Sequence, residues 1–422
     1  MTQRPRILFL SQCLPYPPNS GVTNRTYHIL EQLGAEFDVT LLAYSRRGHQ
    51  PDEDSREEAR RMLARVVNRV GAAASIPGEW STIRRGFDHL RATVSGRPYT
   101  FFEYDSGRFR TELGHLVRGA AFDLIHLDSI DLYRWLKELP RVPTTCTHHS
   151  VESLLLRLQA QRVRSRVLAR YVMYQADLLE RVEQRLCPRF SLNLMMSQAD
   201  AARLRALAPS ANTVVVPNGV DTAHFKPMPE ARAVPGRIVF VGGTAMFPNR
   251  DALEYLLRDI WPSICRAQPQ ASLHVIGSSP AADRARFGSE PCVTVLGLVP
   301  DIRPHLAQAS CCVVPLRVGG GTRLKILDAW GMGKAVVSTS IGCEGLDAVD
   351  GRNILVRDEA KAFADAVLQV LANSELRSGL ELNARKTAET HYDWAVVGRG
   401  MRREYWRIMN AHQARRNLPS AS

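Results

Sequence analysis

The chain has no apolar run approaching the ~20 residues that a bilayer-spanning helix needs. The apolar stretch between Arg4 and Ser11 is too short for the core of a secretory signal and reads as a first strand. None of the eight cysteines forms a C-x-x-C pair. Most of them lie in apolar strand-like or helical patterns, so buried free thiols in a reducing cytoplasm are expected rather than disulfides or zinc ligands. No zinc-finger, RNA-binding or helix-turn-helix signature accompanies the net charge of +13. Nucleic acid is therefore set aside, and phosphorylated substrates or an anionic membrane surface remain as partners. No repeat recurs with a period of 20–50 residues. The sole D-x-D string, Asp52-Glu53-Asp54, sits in a polar loop opening a helix, where acids complement the helix dipole, so no metal site is expected. The first strand runs into Pro15-Tyr16-Pro17-Pro18-Asn19-Ser20-Gly21 and not into G-x-G-x-x-G, which argues against a nicotinamide dehydrogenase.

What is present is ordinary globular material, with 45% hydrophobic and 23% charged residues over 422 positions, enough for two cores. Apolar runs alternate with helical patterns throughout, which predicts parallel α/β architecture. Strands are expected at Ile7–Leu10, Val39–Ala43, Leu124–Leu127, Thr144–Thr147, Leu192–Met196 and Thr213–Val216. The pattern restarts at Ile238–Val241, then Ser272–Ile276, Val293–Leu296, Cys311–Val314 and Ala335–Ser338. Helices are expected at Thr23–Leu33, Glu57–Val70 and Trp394–Met409. Between the halves, Pro217 to Arg237 is rich in proline and polar residues and reads as a linker. Two domains follow, 1–228 and 229–410, with a polar, disordered tail at 411–422.

The most informative segment is Pro315–Leu346, PLRVGGGTRLKILDAWGMGKAVVSTSIGCEGL. An apolar strand leads into Gly319-Gly320-Gly321-Thr322 and then into a helical pattern. A glycine turn opening a helix offers bare N–H groups and partial positive charge to a phosphate. Asp328 lies seven residues past Gly321, on the same helix face roughly 10 Å away. That spacing suits a diphosphate at the turn and ribose hydroxyls on the carboxylate. The alternative is a strand–loop–helix unit whose glycines serve packing alone.

This stretch resembles the nucleotide-sugar signature of GT-B retaining glycosyltransferases, the group 1 (family 4) class, and most of all the PEP-CTERM-associated exopolysaccharide sugar transferases. Their pattern G-x-G-T-R-L-K-I-L-E-A-M-A-M-G-K-P-V-V-S-T is matched with few changes, and the likeness covers nearly the whole chain. It implies two Rossmann-like, doubly wound parallel-sheet domains facing a central cleft. The first would bind acceptor and the second the nucleotide sugar. The broader family motif has two glutamates eight positions apart; here Gly320 and Asp328 stand in their places. Many members also carry an arginine after the glycine of the second domain's first loop and a lysine six residues on. Those positions are Gly243 and Asn249 here, and the resemblance implies that backbone N–H groups at Gly243 and an Asn249 helix cap take over part of the phosphate contact. Arg323 and Lys325 are the candidates for the missing charge. They lie about 200° apart on a helix, so one faces the site, and Arg323 in the first turn is the expected one, with Lys325 equally a solvated residue.

Further candidates follow the other strands. The rigid Pro15–Gly21 loop leads to a helix with Arg25, and Gly21 would let a ligand approach; the alternative is a turn glycine needed for geometry. His148-His149-Ser150-Val151-Glu152 resembles the family's H-x-V-E string and aligns His149 with the motif histidine, leaving His148 unassigned. Gly297-Leu298-Val299-Pro300-Asp301 matches a nucleobase-lining turn, with Asp301 also an N-cap. Glu344 is a further donor candidate. Arg162, Arg166 and Arg170, at four-residue intervals among Leu155, Leu158, Val163 and Val167, form one basic stripe suited to anionic headgroups or to solvent. With Arg25 they are assigned to acceptor or membrane. The catalytic candidates are His149 and Asp328. The resulting expectation is a cytoplasmic glycosyltransferase, peripheral on the inner face of the membrane. It would be free of cofactor, taking a nucleotide-sugar donor and a glycan or lipid-linked acceptor. The alternative is an inactive binding or scaffold protein of a polysaccharide assembly complex.

Overall fold

The computed structural model describes residues 4–79, 81–231, 233–318 and 323–416. The chain divides into two compact units, Met1–Pro217 with Gly398–Ser422, and Asn218–Val397.

In the first unit, strands β1 (Arg6–Ser11), β2 (Asp38–Ser45), β3 (Arg69–Val70), β4 (Ala74–Ser75), β5 (Leu124–Leu127), β6 (Thr144–Thr147), β7 (Leu192–Met195) and β8 (Thr213–Val215) form a sheet. Its order is β3-β2-β1-β5-β6-β7-β8, with β4 also on β2, and every pairing is parallel. The helices that matter here are α1 (Gly21–Gly34), α2 (Glu53–Leu63), α3 (Thr82–Ser95), α4 (Glu152–Arg162) and α5 (Arg166–Leu186). Continuous apolar runs such as Ile7-Leu8-Phe9-Leu10 are buried on both faces, as a helix-covered parallel sheet requires. Leu8, Leu10, Leu42, Ile125, Leu127 and Trp135 join one core. Each such residue contributes about 1.5–3 kcal/mol by burial.

In the second unit, β9 (Arg237–Val241), β10 (Ser272–Ile276), β11 (Val293–Gly297), β12 (Cys311–Val314), β13 (Val336–Ser338) and β14 (Leu355–Val356) are ordered β11-β10-β9-β12-β13-β14, again all parallel. Helices α6 (Phe247–Tyr255) and α7 (Leu324–Gly331) follow β9 and β12. Ile238, Phe240, Leu273, Val313, Trp330 and Val337 share its core. The last helix, α8 (Trp394–Arg416), starts in this unit and belongs to the first from Gly398 onward.

Three expectations are corrected. The helix expected over Glu57–Val70 runs Glu53–Leu63 instead, because Asp52 caps it through Ser55 and Arg69–Val70 pairs as β3. The tail is helical as far as Arg416. The basic stripe is not one stripe: Arg162 ends α4, Val163 turns extended, and Ser165 caps a new helix at Arg166, so only Arg166 and Arg170 share a helix.

Candidate functional site

In a doubly wound sheet the strand order reverses at one point, and ligands gather beyond the carboxyl ends of the strands there. The reversal lies between β1 and β5 in the first unit and between β9 and β12 in the second.

At the first reversal, Ser11 closes β1 and donates to Asp128, just past β5, at 3.0 Å. Thr26 of α1 donates to the same carboxylate oxygen at 2.8 Å. The imidazole Nε2 of His149 lies 3.7 Å from the other oxygen of Asp128, with no hydrogen-bond partner among the described residues. His149 follows β6 with its ring nearly buried beside this carboxylate. His148 is structural. It is buried, its Nε2 meets Asn193 at 2.9 Å, and burial pushes its pKa down to about 4.

Beside His149 lie two buried acids, Asp131 and Glu152. Asp131 follows β5, and its carboxyl is raised above the usual range by burial. Glu152 opens α4. Burial, and then the charges of Asp131 and Glu183, raises it well above that range. Arg46, just past β2, ion-pairs Glu79 at 3.3 Å and Glu103 at 3.9 Å. Arg46, Asp131 and Glu152 follow three different strands, β2, β5 and β6; Glu152 belongs to the H-x-V-E string, and no local motif marks the other two.

Arg25 is corrected as a membrane contact. It is fully buried on α1 and donates to the Val216 carbonyl at 2.7 Å. Gly21 opens α1, and a Cβ added there would meet nothing within 4 Å, so packing does not demand a glycine.

At the second reversal, β9 ends in Gly242-Gly243. A Cβ on Gly243 would come within 2.4 Å of the Ser278 carbonyl oxygen, and one on Gly242 within 2.9 Å of the Lys325 Nζ. Both glycines therefore let other groups crowd against bare backbone. Asn249 is not a cap: Met246 is the N-cap of α6, and the Asn249 amide donates to the Gly243 carbonyl at 3.1 Å. Its carbonyl oxygen accepts from Lys325 Nζ at 2.8 Å. Lys325, not Arg323, is thus the cation beside this turn. Burial, and then the Arg323 charge, lowers its pKa to about 7. Arg323 turns the other way, and its guanidinium donates to the Ile341 carbonyl at 2.9 Å with Glu344 near by.

One helical turn beyond Lys325 stands Asp328. Burial alone raises its pKa to about 7, and among the described residues no hydrogen bond or ion pair reaches its carboxylate. Gly297 ends β11 in the left-handed region at φ +74°, and Asp301 is held by Arg303 at 2.8 Å. Gly320, Gly321 and Thr322 lie outside the described residues. Arg162, Arg166 and Arg170 belong to neither strand-end cluster. No group of three or more His, Cys, Asp or Glu residues with metal-binding geometry occurs among the described residues.

A family model described as "Glycosyltransferase Family 4" matches residues 19–224, and one described as "Glycosyl transferases group 1" matches residues 235–373. A phosphatidyl-myo-inositol mannosyltransferase of Mycolicibacterium smegmatis is 27% identical over 220 residues, covering 50% of this chain and 56% of that protein. A GDP-mannose-dependent alpha-(1-6)-phosphatidylinositol monomannoside mannosyltransferase of the same organism is 28% identical over 215 residues, covering 46% and 56%. The chain thus spans about half the length of the curated relatives it matches. Among solved structures, a sucrose-phosphate synthase from Thermosynechococcus elongatus has a TM-score of 0.68 at 20% identity, covering 97% of this chain and all of the other. Anabaena HepE in complex with UDP and glucose has a TM-score of 0.64 at 15% identity, covering 95% and 99%.

Proposed function

Because this chain is of the group 1 glycosyltransferase family with the GT-B fold, we propose that it moves a sugar from a nucleotide-sugar donor to a hydroxyl of a glycan or lipid-linked acceptor, with retention, in exopolysaccharide biosynthesis. The observation that carries this reading is the cluster at the second reversal: bare glycine backbone at Gly242-Gly243, with Lys325 and the unpartnered Asp328 on one helix. Lys325 would meet the donor diphosphate. Asp328 would accept the ribose hydroxyls. Stabilising charge on the departing diphosphate is then the main catalytic task. In the first unit, His149, backed by Asp128, would donate to the reacting sugar or the leaving phosphate, and the Asp131–Glu152 acids would hold acceptor hydroxyls. The diphosphate would serve as base for the acceptor in a front-face reaction, so no enzymatic nucleophile and no metal is required.

The test pairs calorimetric titration of UDP and GDP with a transfer assay, in EDTA, using acceptor extracted from the membranes of the source cells. Binding of one nucleotide together with sugar transfer supports the reading. Binding without transfer to any such acceptor supports the scaffold reading instead.

A further inference from the structure

One cavity of the first unit lies away from the strand reversal. It has a volume of about 770 Å³ and lies where strands begin: Thr144, which opens β6, and Phe190, just before β7, both line it. His149 follows the opposite end of β6. Four residues of strand separate the two places, about 13 Å. The floor is apolar, with Phe101, Leu178, Val182 and Leu186, and the rim is cationic, with Lys137, Arg181, Arg185 and Arg189. Arg181 and Arg185 stand four apart on the last turns of α5, alternating with the apolar positions, so the same helix supplies floor and rim. No carboxylate is among the lining residues, and these four cations have no hydrogen bond or ion pair among the described residues. Two neighbouring arginines are matched: Arg157 of α4 meets Asp177 at 2.7 Å, and Arg134 in the cavity wall meets Asp105 at 2.7 Å. Four unmatched cations around an apolar hollow of ligand size call for an anion with an apolar body.

The approach to this cavity is also apolar. Helix α3 ends at Ser95 on the rim and leaves Ile83, Phe87, Leu90 and Val94 exposed by 85%, 55%, 59% and 81%. Their spacing places them on one face. The acid of that helix, Asp88, is buried and held by Arg84 at 2.8 Å. Helix α5 runs beside it, joined by His89 and Tyr171 at 2.7 Å, and its first turn adds exposed Val167 and Leu168. An apolar stripe leading to a basic hollow is the surface that an anionic bilayer complements.

We propose that this cavity is a second ligand site, which takes the phosphate group of an anionic membrane lipid while the α3 stripe lies among the acyl chains. The full-length protein is tested by co-sedimentation with phosphatidylglycerol-containing and pure phosphatidylcholine vesicles, and by thermal shift with inorganic diphosphate. Arg181→Gln/Arg185→Gln is compared with Arg415→Gln/Arg416→Gln, which removes equal charge elsewhere. The wild type and the control pair should sediment with the anionic vesicles alone, and the cavity pair should bind them roughly 10- to 30-fold more weakly. Ile83→Ser/Phe87→Ser should also weaken vesicle binding, while any stabilisation by diphosphate persists. Equal loss in the control pair reduces the effect to net charge and overturns the site. If diphosphate stabilises the wild type but not the cavity pair, and vesicles bind both alike, the anion is a dispersed phosphate compound and the lipid is overturned. Wild-type binding of neither probe overturns both.

Discussion

The two strand reversals solve the same topological problem with opposite materials. In the first unit the crevice is filled by side chains held largely by one another: Ser11 and Thr26 both donate to one oxygen of Asp128, and His149 stands 3.7 Å from the other. In the second it is lined by glycine backbone, and its two ionisable groups, Lys325 and Asp328, are both held near neutrality by burial. A prepaired crevice keeps its geometry without a ligand and suits positioning. A crevice with uncompensated charge gains most when a ligand arrives and suits binding.

The sharpest way to break this contrast is His149→Ala. If the first crevice positions and the second binds, sugar transfer should fall by ~10²-fold or more while calorimetric nucleotide affinity stays nearly intact. Transfer at the wild-type rate would remove His149 from the reaction. Asp328→Ala should instead act on binding, with a loss of about 1.5–3 kcal/mol of nucleotide affinity, roughly 10- to 150-fold. Unchanged affinity in a folded variant would take Asp328 out of the site.

Proton linkage separates the two charged groups. A diphosphate favours charged Lys325, and ribose hydroxyls favour ionised Asp328, so near pH 7 their effects oppose. Calorimetry in buffers of different ionisation heat should therefore show net proton uptake for Asp328→Asn and net release for Lys325→Gln. The same sign in both variants would break the assignment.

A further effect concerns stability. The carboxyl of Asp328 is raised from 3.8 to about 7, so between those values the folded chain holds a proton that the unfolded chain has lost, and stability falls as pH rises. Lys325 is lowered from 10.5 to about 7, so above neutrality the unfolded chain holds the extra proton and stability rises with pH. Denaturant unfolding at pH 5 and pH 7 should show Asp328→Asn gaining on the wild type over that interval. A constant difference would mean that the carboxyl titrates normally.

Sequence alone located what depends on local pattern. The runs at Leu124–Leu127, Thr144–Thr147, Ser272–Ile276 and Cys311–Val314 are strands at those bounds, because short segments rich in apolar or β-branched residues suit a parallel sheet covered on both faces. The two-residue strands β3, β4 and β14 carry too little pattern to be seen. Within the candidate sites, the strand-end positions of His149 and Gly243 were legible. The choice between Arg323 and Lys325 was not, because it rests on Asn249 and Ile341, 76 and 18 residues away. The placing of Arg46 and Asp131 beside Glu152 was hidden for the same reason: it exists only once separate strands are side by side. The basic stripe failed because a spacing of four implies one face only while the helix continues, and Val163–Ser165 interrupts it.

Helix α8 sets an order of events on the ribosome. The chain leaves the first unit after Pro217 and returns to it at Gly398. Tyr405, fully buried, contacts His126 at 2.7 Å, and Arg402 meets Glu36 at 2.7 Å, so the last helix closes the first unit's own core. The second unit is contiguous and has all its strands once Val397 has emerged. The unit begun first is therefore finished last, its buried His126 waiting for residues translated some 280 codons later. A chain cut short after the second unit would keep that unit's own core and leave the first with an apolar seam open to other unfinished chains.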